Sequence, residues 1–431
     1  MKNVAFHNLG CKVNSYELEF VQQEFKENDF RIVPFDQKAD IYIINTCTVT
    51  NIADRKSRQM IHRARTMNKD AVIVAMGCYV QTNIEKAKED DGIDIIIGND
   101  KKGKSFEIIM DYLKENKSVK DISDISKVKE YDEFTLKSTT EHTRVYIKIQ
   151  DGCNQFCSYC AIPLARGRVR SRGIDDTINE IEGLTKAGYK EFVLTGIHLS
   201  SYKTEDGKEL IDAIEAVSKI EGVERIRLGS LEPRVITKEF MERLSKIDSI
   251  CPHFHLSLQS GSDTVLKRMN RHYTADEFYD GVQIIRQYFE HPAITTDVIV
   301  GFPGETEEEF NDSRAFLNKV DFFEAHVFKY SRRQGTVADK MPGQLTEKEK
   351  SARSEKLISD ADKRSKAFRE YYIGKETEVL LEEPFEHNGK KYMIGHTREY
   401  VKVVTEVSEE LAGSIIKGVV RGALTDEILV F

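Results

Sequence analysis

The sequence has no apolar run approaching the roughly 18 residues that a bilayer-spanning helix needs, which argues against a membrane-spanning protein. Its first residues, MKNVAFHNLGCKVNS, hold no apolar stretch of signal-peptide length, so the expected location is the cytoplasm. Nor is there a surplus of positive charge. With 64 lysines and arginines against 72 acids, the net charge is −8. That total excludes a chain that coats nucleic acid over its whole surface, but leaves room for a local basic patch. Cysteine is scarce as well. Seven in 431 residues do not make a disulfide framework in a reducing compartment, and their placement points to metal chemistry instead.

What is present is the balance of a soluble globular protein, 40% hydrophobic and 32% charged, at a length that suits two or three domains. In residues 1–113, apolar runs alternate with charged helical stretches. The runs are VAFHNLGC (4–11), ADIYIINTC (39–47), AVIVAMGC (71–78) and IDIIIGN (93–99). A helix beginning near Asn14 would place Leu18, Val21, Phe25 and Phe30 on roughly one face. This alternation predicts a parallel sheet covered by helices. Residues 114–142 are poorer in apolar side chains and read as a connecting segment with room for a short strand.

Residues 143–372 open with RVYIKIQ and continue with EFVLTGIH, RIRLGSL, HFHLSLQS, AITTDVIVGFP and FFEAHVFKYS, separated by helical stretches. Six such units suggest an open or partial (βα)6 barrel rather than the eight-unit form, closed by a charged helix over 346–372. Residues 373–431 change to short β-type runs with glycine-containing turns, the pattern of a small antiparallel β-barrel. The predicted fold class is therefore α/β, with this β-barrel appended.

Cys153-x3-Cys157-x2-Cys160 follows the first barrel strand, at the end where such barrels carry active sites. Three thiolates on a short loop can hold three irons of a [4Fe–4S] cluster and leave the fourth open to a small ligand. Zinc normally takes four ligands at paired spacings, and this spacing fits it poorly. Cys11, Cys47 and Cys78 each end a predicted strand. A parallel sheet gathers such ends along one edge, so these three predict a second three-thiolate site; the competing reading is three buried core cysteines. Cys251 shows no such pattern and reads as structural.

NLGCKVNSYE, INTCTVT, MGCY and DGCNQFCSYCAIPLARGRVRSR together resemble the methylthiotransferase family of radical-SAM enzymes, over nearly the whole chain. The resemblance implies an N-terminal methylthiotransferase domain, a radical-SAM core and a TRAM-like C-terminal barrel. GCKVNSYE and the core motif look most like the branch acting on N6-threonylcarbamoyladenosine at position 37 of tRNA. The branch acting on isopentenyladenosine usually shows GCQMN in place of GCKVN, and the branch that modifies a ribosomal protein differs after its third core cysteine.

The resemblance further implies two [4Fe–4S] clusters. One, on Cys153, Cys157 and Cys160, would bind S-adenosylmethionine and, given an electron from an external donor, generate a 5′-deoxyadenosyl radical. The other, on Cys11, Cys47 and Cys78, would carry the sulfur that ends as a methylthio group on C2 of the adenine, within the anticodon stem-loop. A cluster-bearing RNA-binding or sensor protein without turnover is the alternative outside enzymes.

Residues at the ends of later barrel strands are candidates for the S-adenosylmethionine pocket: Thr195, Gly196, Glu232, Gln259 and Ser260. Gly196 would let backbone approach the methionine amino group, and Glu232 could pair with a cation. Tyr159 holds the position where the radical-SAM family often stacks an aromatic on adenine. GFPGET lacks the GK[ST] ending of a nucleotide P-loop. For RNA, Arg166, Arg168, Arg170 and Arg172 alternate with small or apolar residues and no interleaved acid, a pattern suited to phosphates and splayed bases. A basic stretch over 54–69 and Lys390, Lys391, Arg398, Lys402 and Arg421 of the small barrel are further candidates, the barrel gripping tRNA away from the reaction centre.

Overall fold

The computed structural model describes residues 2–115, 120, 122–139, 143–406 and 411–431. Its first unit is a five-stranded parallel sheet of β1 (Asn3–Asn8), β2 (Arg31–Val33), β3 (Ile41–Thr46), β4 (Val72–Gly77) and β5 (Ile95–Ile97), in the order β2-β1-β3-β4-β5. β3 is buried at all six positions, as a central strand covered on both faces must be. The two-residue period divides its side chains between two cores. Tyr42 and Ile44 meet Ile61 and Ala64 of helix α2 (Asn51–Met67), whereas Ile41 and Ile43 meet Leu18, Val21 and Phe25 of helix α1 (Lys12–Glu27). Helix α1 starts at Lys12, two residues before the expected Asn14, because Cys11 already has extended backbone and serves as its N-cap. Phe30 lies beyond the helix but packs edge-on against Phe25, 5.0 Å between centroids.

The connecting segment has no strand among its described residues, only a single turn over Ile125–Lys127. It is not loose. Phe134 and Leu136 are buried in the largest core. The Phe134 ring lies edge-on to Tyr16 and Phe20 of α1, at 6.0 and 5.1 Å, and under the Lys148 ammonium at 5.0 Å. Its sparse aromatics thus tie the first sheet to the second unit.

That unit contains β6 (Val145–Asp151), the two-residue antiparallel β7 (Arg170–Ser171), β8 (Glu191–Gly196), β9 (Arg225–Leu228), β10 (His253–Gln259), β11 (Ala293–Val300) and β12 (Glu324–Lys329). Parallel ladders join β6-β8-β9 and β10-β11-β12. The bridges Ile226–Ile250 and Leu231–Leu256 connect the two groups, so six parallel strands curve into the expected partial barrel. The helix Glu347–Glu370 packs along β12.

The last unit is a curled six-stranded sheet of β13 (Glu376–His387), β14 (Lys390–Thr397), β15 (Lys402–Thr405), β16 (Ile415–Val419), β17 (Gly422–Ala423) and β18 (Ile428–Val430), antiparallel except for β15 and β18. It docks at the start of the barrel strands through charge. Arg225, the first residue of β9, donates to Glu378 and to the His396 carbonyl, and Arg227 donates to the Thr397 and Arg398 carbonyls. Among the described residues no helix is long and apolar enough to cross a membrane.

Phe134→Ala should destabilise the protein by about 3–5 kcal/mol, the range for a large ring lost from a packed core; urea unfolding measures it.

Candidate functional site

Register brings the first three cysteines together. Asn8 of β1 pairs with Asn45 of β3, which pairs with Met76 of β4; Cys11, Cys47 and Cys78 follow these partners by three, two and two residues. A side chain at Gly10 would lie 3.2 Å from the Cys47 sulfur, which places that sulfur against the loop of Cys11. Cys47 and Cys78 are buried while Cys11 is exposed, so this is not a set of three core cysteines. All seven cysteines are free thiols.

The second loop begins as β6 ends. Gly152 has φ +70°, and a Cβ there would fall 1.8 Å from the Arg168 carbonyl oxygen, so only glycine lets the chain leave the strand while its far end folds back over it. The Cys153 N–H donates to the Gly167 carbonyl at 3.1 Å and the Cys160 N–H to the Cys157 carbonyl at 3.0 Å. The loop is thereby closed on itself. Arg271 donates to the Cys157 sulfur at 3.1 Å. Burial pushes the Cys47 and Cys153 thiols up to about 11 and Cys160 up to about 12. Free, these thiols stay protonated near neutral pH, and a bound iron would displace the protons. Three thiols at each place, a guanidinium against one of them and no disulfide fit a [4Fe–4S] cluster at either place.

A buried charge network joins the two loops. Arg166, six residues after Cys160, is fully buried. It grips both Glu17 oxygens, at 2.6 and 2.9 Å, reaches Asp151 at 3.3 Å, and donates to the Asn14 side-chain oxygen at 2.5 Å. Asn14 in turn donates to the carbonyls of Leu9 and Thr46, at 2.6 and 3.2 Å, holding the backbone beside Cys11 and Cys47. Asn99 donates to the Ala165 carbonyl at 2.8 Å and lies 3.5 Å from the Cys78 sulfur. Lys102 and Lys148 complete the cage around Glu17, at 2.6 and 2.8 Å, and Lys148 and Arg170 also meet Asp151. Burial alone would raise the Glu17 carboxyl, but Arg166, Lys102 and Lys148 outweigh it and hold it well below the usual range. Four cations face two carboxylates here.

This network corrects the RNA assignment of the arginine series. Arg166, Arg170 and Arg172 are buried. Arg172 is paired with Glu180 and donates to Glu133 and to the Phe134 carbonyl. The acids absent from the local sequence arrive from α1, β6 and later helices. Of the four, Arg168 alone is exposed, its guanidinium 4.5 Å over the ring of Phe156, which is 44% exposed. In the basic stretch, Arg55, Lys56, Arg58 and Arg63 are exposed on α2. Lys390, Lys391, Lys402 and Arg421 are also exposed, whereas Arg398 donates to the Ile250 carbonyl.

The pocket candidates divide as well. Tyr159 is half-buried, edge-on to Phe302 at 6.4 Å. Glu232 is buried beside Gln155 of the cysteine loop, with Arg271 at 3.6 Å, and one of its oxygens has no hydrogen-bond partner. Gln259 has φ +70° at a bulge that ends β10, a device that re-aims a side chain beside a site. Thr195 is buried at the end of β8. The space over Gly196 is taken by Gln150, whose Oε1 would lie 2.7 Å from an added Cβ, so that glycine accommodates a neighbouring side chain. Ser260 hydrogen-bonds Ser313 and the Ser262 N–H, so its hydroxyl is already engaged within the fold. Asn14, Glu17, Asn99, Lys148, Gln150 and Arg271 were missed from the sequence. Asn14 and Glu17 stand inside the GCKVNSYE motif; the others carry no local signal, because the contacts that bring them to the site, such as Asn99 to Ala165, Lys148 to Glu17, Gln150 to His198 and Arg271 to Cys157, span tens of residues or more.

Arg166→Met should cost about 3–5 kcal/mol, because it removes the guanidinium shared by buried Glu17 and Asp151 and leaves their charge under-compensated by the remaining cations. Hydrogen exchange should accelerate at residues 9–14 and 46–48, which Asn14 no longer anchors.

The chain matches the Radical SAM superfamily over residues 147–317 and an uncharacterized protein family, UPF0004, over residues 3–98. It is 44% identical over 421 residues to threonylcarbamoyladenosine tRNA methylthiotransferase MtaB of Bacillus subtilis, covering 97% of this chain and 93% of that protein. Identity to the protein of the same name from Aquifex aeolicus is 38%, covering 88% and 92%. A tRNA-2-methylthio-N(6)-dimethylallyladenosine synthase of Acetivibrio thermocellus is 32% identical, covering 96% and 88%. Among solved structures, the radical S-adenosylmethionine methyltransferase TsrM of Kitasatospora setae shares the fold, with a TM-score of 0.56 at 15% identity over 76% of this chain and 73% of its own. The chain belongs to the radical-SAM methylthiotransferases, in the threonylcarbamoyladenosine tRNA methylthiotransferase family.

Proposed function

We propose that the protein adds a methylthio group to C2 of N6-threonylcarbamoyladenosine 37 in the anticodon stem-loop of tRNA, with Cys153, Cys157 and Cys160 holding one [4Fe–4S] cluster and Cys11, Cys47 and Cys78 a second. The observation that carries this reading is the pairing of two sets of three thiols across one buried charge network. When bound, the clusters and S-adenosylmethionine supply the radical and the sulfur; the protein positions and shields them. The physiological setting is the cytoplasm, with an external electron donor.

The chain's own residues have distinct tasks. The unsatisfied Glu232 oxygen suits the amino group of S-adenosylmethionine, and Tyr159 suits its adenine. Gln259 and Thr195 complete the strand-end wall. Arg271 stabilises the Cys157 thiolate through its N–H. Lys12, next to Cys11, is pushed down to about 8 by burial, then by the charges of Arg227 and Arg144. A cation there suits a substrate that carries a carboxylate, as the threonylcarbamoyl group does and the isopentenyl group does not. RNA contact falls to Arg168 with Phe156, a guanidinium and an exposed ring ready to stack on a base, and to the exposed arginines of α2. The lysines of the C-terminal barrel reach tRNA from the opposite end of the barrel strands.

The test is anaerobic reconstitution with iron and sulfide, then reduction with S-adenosylmethionine and tRNA bearing either threonylcarbamoyladenosine or isopentenyladenosine, with nucleosides read by mass spectrometry. A methylthio mass shift on the first tRNA alone is expected. A shift on the second alone would overturn the substrate; 5′-deoxyadenosine without any shift would overturn the transfer reaction. Cys157→Ala should abolish 5′-deoxyadenosine formation, whereas Cys47→Ala should retain it and lose methylthio transfer.

A further inference from the structure

Strands β10, β11 and β12 turn one face towards the helix-covered core, through Phe254, Leu256, Leu258, Ile294, Val298 and Val300. The opposite face carries His255, Thr295, Asp297 and His326. Asp297 and His326 are direct partners in the β11–β12 register, and His255 is the partner of Thr295, two residues along the same face. His255, Asp297 and His326 each offer one ligand atom, and the three atoms all lie within 4.8 Å of one another. They come from three adjacent strands, so the sheet holds their spacing.

The detailed geometry favours shared ligation over a plain hydrogen bond. His255 Nε2 stands 3.4 Å from Asp297 Oδ2, beyond the usual 2.7–3.2 Å of an N–H···O bond. Two ligands at about 2.0–2.1 Å from one tetrahedral ion lie about 3.3 Å apart. The other ring nitrogen of His255, Nδ1, is 3.0 Å from the Thr295 hydroxyl. Metal-bound imidazoles are held by just such an outer partner, which leaves Nε2 free to ligate. The His255 and His326 rings are stacked, 5.9 Å between centroids. Two imidazoles and a carboxylate are borderline donors that suit zinc, iron(II) or cobalt(II), whereas calcium and magnesium prefer oxygen throughout. His326 is exposed and lines a cavity of about 490 Å³ with Glu324, Tyr400 and Lys402, so water or a small carboxylate can reach the remaining coordination positions.

We propose that His255, Asp297 and His326 form a mononuclear site for a divalent transition-metal ion, built without cysteine and distinct from the two thiol loops. The site has three protein ligands and at least one open position.

The experiment uses the full-length protein, reconstituted with iron and sulfide, given one equivalent of Zn²⁺ anaerobically and desalted. Zinc and iron are then counted by mass spectrometry, and the zinc environment is read by X-ray absorption. About one zinc per chain is expected, with iron unchanged and a first shell of nitrogen and oxygen at about 2.0–2.1 Å. H326Q and D297N should each weaken zinc binding by more than about tenfold, since losing even an outer partner of a ligand costs that much, while keeping wild-type iron. His326 is exposed, so H326Q leaves the core untouched if D297N folds poorly. A sulfur shell at about 2.3 Å, no retained zinc, or equal zinc binding in wild type and H326Q would overturn the proposal.

Discussion

The structure depends on one buried carboxylate. Glu17 lies on the first helix of the N-terminal sheet, yet its partners Lys148 and Arg166 belong to the barrel, and Lys102 follows β5. A single charge so enclosed costs several kcal/mol in desolvation unless every partner is in place. The same side chains that satisfy Glu17 also fix Asn14 and the end of β6, and through them the backbone of both cysteine loops. The relative placement of the two loops is therefore tied to folding itself. An error in placement would leave a charge unpaired in the interior.

That coupling suits chemistry divided between two centres. Transfer of a sulfur-bearing group requires the radical source and the sulfur carrier to stand at a set separation, and near-attack geometry tolerates little error. A surface contact between two domains would allow relative motion. Here Arg166, Ala165 and Asn99 bridge the loops directly, and Phe134 of the connecting segment adds an apolar tie to α1. Arg225 and Arg227, on β9, hold the C-terminal unit by its backbone carbonyls.

Much of this organisation was legible in the sequence. All six barrel strands and the strand-end positions of Cys11, Cys47 and Cys78 could be read from apolar runs, because a buried strand needs contiguous or alternating apolar residues whatever its neighbours. The arginines after Cys160 show where such reading stops. RGRVRSR has no acid interleaved, and so it resembles an exposed basic strand; Glu17, Asp151 and Glu180 reach its arginines from 149, 15 and 8 residues away. Gly196 and Ser260 also have neighbours that the sequence does not show. Each stands at a strand end, as a pocket residue should, but Gln150 and Ser313 already occupy the space or the hydrogen bond.

By itself, then, the sequence determined the pattern of strands and helices and the cysteine placement, since periodicity and spacing are properties of the local chain, and it pointed to the family through the resemblance of its motifs. Only the tertiary structure decided which arginine of the series stays exposed, which carboxylate unites the loops, and that two histidines and an aspartate from β10, β11 and β12 share one space. Charge pairing and ligation depend on distances of a few ångströms, and across a folded sheet such distances are set by register and packing between segments far apart in the chain.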